Sequence, residues 1–202
     1  MQPLTQMKQC VLHSEQIDLA SVRAEFFDNR RHRGSLFLPF SQRTGRTLCI
    51  IGQNPSDADE RCADKTIRYL ENLIYDTQPQ YGALLVLNLY SRVDTQKSAT
   101  EDLLHARCAK ILDTAIQRHE DILLVYGKLR VQGAYDFPDR ARAVAAQLNF
   151  KNVFKLDIGT KYFPHPGNPK ILYRNFNVPL VRVSVSLGHC EHLADQSHQQ
   201  FN

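Results

Sequence analysis

The segment Thr47-Leu-Cys-Ile-Ile-Gly-Gln-Asn-Pro-Ser-Asp-Ala-Asp59 decides how the chain is read. Leu48 to Ile51 is a continuous apolar run of the kind that forms a buried strand. It runs straight into Gly52-Gln53-Asn54-Pro55, which cannot continue a strand. Gly52 permits a tight turn or the close approach of a ligand, and Pro55 fixes φ and has no N–H to donate. Ser56 and Asp57 carry oxygens suited to capping a following helix. Ligands of open α/β sheets bind beyond the carboxyl ends of the strands. Gln53, Asn54, Ser56, Asp57 and Asp59 therefore stand where chemistry is expected.

On the amino-terminal side, Val22 to Phe27 and Leu36 to Phe40 predict a β-hairpin at the sheet edge. The polar turn between them, Asp28 to Gly34, carries Arg30, Arg31, His32 and Arg33, and reads as a solvated loop in preference to a phosphate contact. On the carboxyl side, Ile67, Leu70, Leu73 and Ile74 recur at helical spacing and predict a helix over 64–75. Gly82 to Leu89 predicts a second buried strand, with Asn88 near its end needing partners for both donor and acceptor. An amphipathic helix over 99–119, a third strand over 121–126 closed by Gly127, a helix over 138–148 and a fourth strand over 152–156 follow. Val178 to Leu187 alternates and is expected either to add an edge strand or to pack outside the sheet.

This order predicts a three-layer α/β/α sandwich: a central parallel sheet of about four strands, helices on both faces, and the hairpin at one edge. Residues 1–19 are expected to form a loose arm with a short helix near Ser14 to Ala20. Residues 20–187 are expected to form one α/β domain, and 188–202 a polar, disordered tail. At 202 residues, with 43% hydrophobic and 23% charged side chains, a single soluble domain is expected. A net charge of +4 permits an anionic partner without demanding one. The five cysteines are odd in number and scattered, which argues against a disulfide framework or a metal cluster and for a reducing, cytoplasmic setting. No apolar run is long enough to span a bilayer, and no signal-type segment opens the chain. His189, Cys190 and His192 read as tail rather than metal ligands, so no metal or cofactor is expected.

Three strand-end elements are expected to converge on one crevice: Gly52 to Ser56, Leu85 to Asn88, and His165-Pro166-Gly167-Asn168-Pro169. Their sequences resemble the uracil-DNA glycosylase superfamily. Gly52-Gln53-Asn54-Pro55 is similar to the Gly-Gln-Asp-Pro-Tyr-His motif, in the Gly-x-Asn-Pro form of its mismatch-specific branch. Gly82 to Asn88 resembles the strand whose terminal Asn reads a base edge. Leu123-Leu-Val-Tyr-Gly127 is similar to Leu-Leu-Trp-Gly, and His165-Pro166 to the start of His-Pro-Ser-Pro-Leu. The match covers about residues 20–175, and the layout, with Asp64 to Arg68 after the first motif, most closely resembles an uncharacterised bacterial and phage family grouped with these glycosylases.

The resemblance implies hydrolysis of an N-glycosidic bond, releasing a nucleobase, ordinary or modified, from DNA or RNA. Asn54 would hold the attacking water, Asn88 would pair with the base edge, and His165 would donate to a base oxygen. A carboxamide takes no proton at neutral pH, so Asp57, Asp59 or Asp64 would have to reach the water for base catalysis. Gly52, Gln53, Pro55, Ser56, Tyr90 and Pro166 would line the substrate site, and Lys128, Arg130, Lys161 and Lys170 would contact phosphates. Ser56 replaces the Tyr of the uracil-specific branch and suggests a roomier pocket. Asp57 stands where that branch has His, and Pro169 where a wedge Leu would be; Tyr69 or Tyr90 would substitute for the stacking Phe. The expected partner is nucleic acid, DNA favoured and single-stranded or modified, or else a nucleotide. The alternatives are a module that binds a nucleobase without cleaving it and a hydrolase of free nucleosides or nucleotides.

Overall fold

The computed structural model describes residues 10–173, 178–186 and 189–192. In chain order the elements are β1 (Val11–Leu12), a 3-10 turn (Leu19–Ser21), β2 (Arg23–Phe27), β3 (His32–Pro39), β4 (Arg46–Gly52), β5 (Cys62–Ala63), α1 (Lys65–Thr77) and β6 (Tyr81–Asn88). Then come α2 (Ala106–Arg118), β7 (Asp121–Leu124), β8 (Val131–Gln132), β9 (Tyr135–Asp136), α3 (Phe137–Ala145), β10 (Asn152–Leu156), α4 (Pro169–Leu172), β11 (Leu180–Ser186) and β12 (His189–His192). The main sheet has eight strands in the order β12-β11-β10-β7-β4-β6-β3-β2. β6, β4, β7 and β10 run parallel, and the strands flanking them pair antiparallel.

Alternation along β4 explains the layering. Leu48 and Ile50 face one cluster with Ile67, Leu70, Leu73 and Ile74 of α1. Cys49 and Ile51 face the other, with Leu112 and Ile116 of α2 and Phe137, Ala141 and Val144 of α3. The result is a mixed α/β sheet with helices on both faces. α1 begins where the sequence predicts, because Asp64 caps it by accepting from the Ile67 amide at 2.7 Å.

Several local expectations are corrected. The hairpin turn is shorter than read: Asp28, Asn29 and Arg30 take positive φ (50°, 54° and 65°), and β3 already begins at His32. His32 and Arg33 are thus 0% and 3% exposed, not part of a solvated loop. α2 starts at Ala106 rather than Ala99. The preceding loop is pinned instead by Asp102, whose carboxylate meets Arg31, His32 and Arg92 at 3.6, 3.1 and 3.0 Å. Val178 to Leu187 supplies β11, an edge addition to β10, and residues 189–192 of the expected tail pair with it as β12. The rest of that tail lies outside the described residues, as do residues 1–9 of the arm.

The described part of the arm is tied down. A disulfide joins Cys10 to Cys62, so the inference drawn from an odd cysteine count fails for this pair, while Cys49 and Cys108 stay reduced and buried. β1 pairs with β5, and the fully buried His13 meets Glu71 of α1 at 2.5 Å. The second Glu71 oxygen accepts from the Ser14 amide at 2.7 Å. Residues 14–20 form turns and a single 3-10 turn rather than a helix. Among the described residues no helix is long and apolar enough to cross a membrane.

Candidate functional site

The order of the parallel strands creates one switch point. From β4 the chain goes to β6 on one side, then crosses back to β7 on the other. A crevice beyond the carboxyl ends of such strands is where α/β sheets bind ligands. A cavity of about 480 Å³ opens there, lined by the ends of β4 (Gly52, Gln53, Asn54), β6 (Asn88) and β7 (Val125, Tyr126, Gly127) and by His165. Its volume is in the range of small-molecule sites.

Register brings these residues together. Gly52 stands opposite Asn88, and the amides of Leu89 and Tyr90 continue the ladder to the carbonyls of Gly52 and Gln53. A Cβ at Gly52 would come within 3.0 Å of Asn88 Nδ2, so glycine leaves that carboxamide its space. Gly127 turns at φ +73° and donates its amide to Phe163 at 2.7 Å, drawing the 163–168 loop to the end of β7. A Cβ there would sit 3.4 Å from that of His165.

Three side chains whose hydrogen-bonding sense is ambiguous are each oriented by a partner with only one role. The guanidinium of Arg33 can only donate, so its 3.2 Å bond from Nη2 turns Oδ1 of Asn88 toward it and leaves Nδ2 as a donor. The Arg92 carbonyl can only accept, so Nδ2 of Asn54 faces it at 3.4 Å, and the buried Oδ1 has no protein partner. The Gly167 amide donates to Nδ1 of His165 at 2.9 Å, which places the imidazole proton on Nε2. Desolvation by the surrounding protein lowers the His165 pKa, Asp64 opposing and Lys97 reinforcing, although the residue keeps solvent contact. The cavity thus offers two donors, His165 Nε2–H and Asn88 Nδ2–H, while Asn54 Oδ1 is an acceptor enclosed in its wall without a protein partner.

Of the other expected residues, Gln53, Ser56, Lys128 and Arg130 line the cavity. Asp57 does not; it lines a neighbouring cavity with Asp59, Cys10 and Cys62. Asp59 is engaged by Arg30 at 2.7 Å and by the Arg61 amide. Asp64 is the one carboxylate among the lining residues. Pro55 and Pro166 are buried beside the site without lining it, and Lys161 and Lys170 are exposed away from its wall. Tyr90 is structural: its hydroxyl accepts from the Asp136 amide and donates to the Asp136 carbonyl, both at 3.1 Å. The aromatic ring in the wall is that of Tyr126, set edge-on to Phe163 at 5.2 Å.

Sequence reasoning missed Arg33 and Lys97. Arg33 was masked by its neighbours, since a run of Arg and His reads as surface. A Ser-His-Asp line also occurs in the fold, with His32 2.9 Å from Ser91 Oγ and 3.1 Å from Asp102. Ser91 is 3% exposed and its Oγ accepts from the His105 amide, so this line braces a loop and presents no nucleophile.

The fold and cavity define an α/β protein with a ligand crevice at the switch point of its parallel strands. A family model described as "Protein of unknown function (DUF1643)" matches residues 38–166, and the chain belongs to that family. No curated protein and no solved structure matches it.

Proposed function

We propose that this protein hydrolyses the N-glycosidic bond of a nucleotide residue in DNA or RNA, with a uracil-DNA glycosylase-like sandwich as its frame. The observation that carries the reading is the meeting of Asn54, Asn88 and His165 in one cavity with their hydrogen-bonding senses fixed. Bond cleavage builds positive charge on the sugar and negative charge on the departing base. Water held at Asn54, whose enclosed carboxamide oxygen turns to accept it, attacks C1′ and yields its proton to Asp64. The C1′–N pair leaves with the base, where His165 and Asn88 donate to the developing anion. Asp64 already accepts one amide bond as the α1 cap, which leaves its second oxygen for the proton. Lys128 and Arg130 at the rim fit a nucleic-acid backbone, DNA favoured and single-stranded or carrying a modified base.

A second reading, recognition without cleavage, is favoured by the same Asp64 bond, because it ties the carboxylate to the first turn of α1 and away from free movement toward a water. One assay separates the two. Oligonucleotides carrying varied bases are incubated with the protein, treated with alkali and examined for strand breaks. Breaks that fall about 100- to 1000-fold in Asn54→Ala and in His165→Ala support hydrolysis. Binding that weakens with salt but leaves every strand intact supports the second reading. Turnover of free nucleosides without oligonucleotide binding would replace both.

The acting form of His165 is neutral, and its pKa lies below 6.5. The midpoint of any acidic loss of activity is therefore expected below pH 6.5, as imidazole protonation takes away the Nδ1 acceptor. A midpoint above pH 7 would contradict this assignment. A cytoplasmic setting, also proposed, makes one further demand: there the Cys10–Cys62 pair would be held as two thiols.

A further inference from the structure

Arg33 is 3% exposed, yet both of its hydrogen-bond partners are uncharged. Nη1 donates to the Ala58 carbonyl and Nη2 to Asn88 Oδ1, each at 3.2 Å, and Nε is buried with no partner. The carboxylates that act on it, Asp64 and then Asp57, do so only through space, and burial pulls its pKa down to about 10. A buried cation with no counter-charge in hydrogen-bond contact is costly, and such groups are normally paired or matched to a ligand. The same cavity carries Lys97, Lys128 and Arg130 against the single carboxylate of Asp64, with His165 neutral.

We infer that the cavity takes an anionic, acceptor-rich group, with Arg33 supplying the fixed counter-charge both directly and through Asn88. Arg33 holds the carboxamide with its N–H₂ toward the ligand and polarises it, so that Asn88 donates more strongly as negative charge builds. Two sources share this chemistry: a heterocyclic base bound as its anion, and a phosphate. The first rests on the function proposed above; the second does not.

Equilibrium binding with matched probes tests this on the full chain. Urate, an anion at neutral pH, is compared with neutral hypoxanthine, and uridine 5′-monophosphate with uridine; inorganic phosphate is the third arm. The anionic member of at least one pair is expected to bind 10-fold or more tightly than its neutral mate. Preference in the first pair assigns the charge to the base. Preference in the second, shared by inorganic phosphate, assigns it to a phosphate. Arg33→Gln is expected to abolish the preference. Asn88→Asp is the control for misfolding: it places a carboxylate on Arg33, which should keep the protein folded while filling the anion's place. Equal binding of both members in both pairs, no binding of any probe, or a preference that survives both variants would overturn the inference. Strand cleavage without anion preference would leave the proposed activity standing and remove only this step. Anion binding without cleavage would do the reverse.

Discussion

Glu71→Ala is expected to lower the unfolding free energy by about 3–5 kcal/mol, the cost of stripping one partner from a buried pair. Glu71 and His13 are both fully enclosed, 2.5 Å apart. Each is also bound elsewhere: Glu71 Oε2 accepts the Ser14 amide at 2.7 Å, and His13 Nε2 donates to the Asp59 carbonyl at 2.8 Å. Removal of the carboxylate leaves the His13 Nδ1–H and the Ser14 amide without acceptors in a place water does not reach. For a chain of this size the melting temperature should fall by about 6–20 °C. The pair also sets a pH dependence. Burial lowers the His13 pKa, but the hydrogen bond and charge of Glu71 and the Asp59 carbonyl outweigh it, so the value stands above 6.5. The unfolded state therefore loses its proton first as pH rises. The stability due to this proton is complete below pH 6.5 and is lost as pH climbs through the raised folded value. Urea melts of the wild type over this range should show that decline, and Glu71→Ala should flatten it. A wild type that gains stability across the same range would show that His13 is neutral in the fold.

The parallel core and its crevice were legible because their signals are local. Leu48 to Ile51 is apolar without interruption, Gly52 and Pro55 end it, and alternating strands and helices then force the strand ends to one side. Asn54, Asn88 and His165 could be assigned to one hollow on that ground alone. Arg33 could not, because its burial is set by Asn88 and Ala58, 55 and 25 residues away. The start of α2 was misplaced for a similar reason. Leu103 and Leu104 carry the helical spacing upstream, but ion pairs from Arg31 and Arg92 to Asp102 hold that stretch as a loop. Asp64 shows the limit from the other direction. It opens the helix expected over 64–75 and caps it, yet the pattern did not say which of Asp57, Asp59 and Asp64 faces the cavity.

Reducing the Cys10–Cys62 bond, or replacing either residue by Ser, is expected to cost about 4 kcal/mol, the chain-entropy value for a closed loop of 52 residues. The corresponding fall in melting temperature is about 8–16 °C. The fold should survive, because the His13 and Ser14 contacts to Glu71 hold the amino-terminal segment independently of the bridge. The local consequence matters more for function. The bridge anchors β1 to β5, each only two residues long, and β5 runs directly into Asp64, which caps α1 and lines the cavity. Without the bridge, hydrogen exchange should quicken at Val11 to Leu12 and Arg61 to Ala63 while the amides of β4, β6 and β7 keep their protection. Equal melting with and without reductant, with both sulfurs labelled as free thiols beforehand, would show that the two cysteines do not pair in solution. If the bridge is present and its loss also weakens ligand binding, the capping turn at Asp64 is the physical link, since among the cavity's lining residues Asp64 stands next to β5 in the chain.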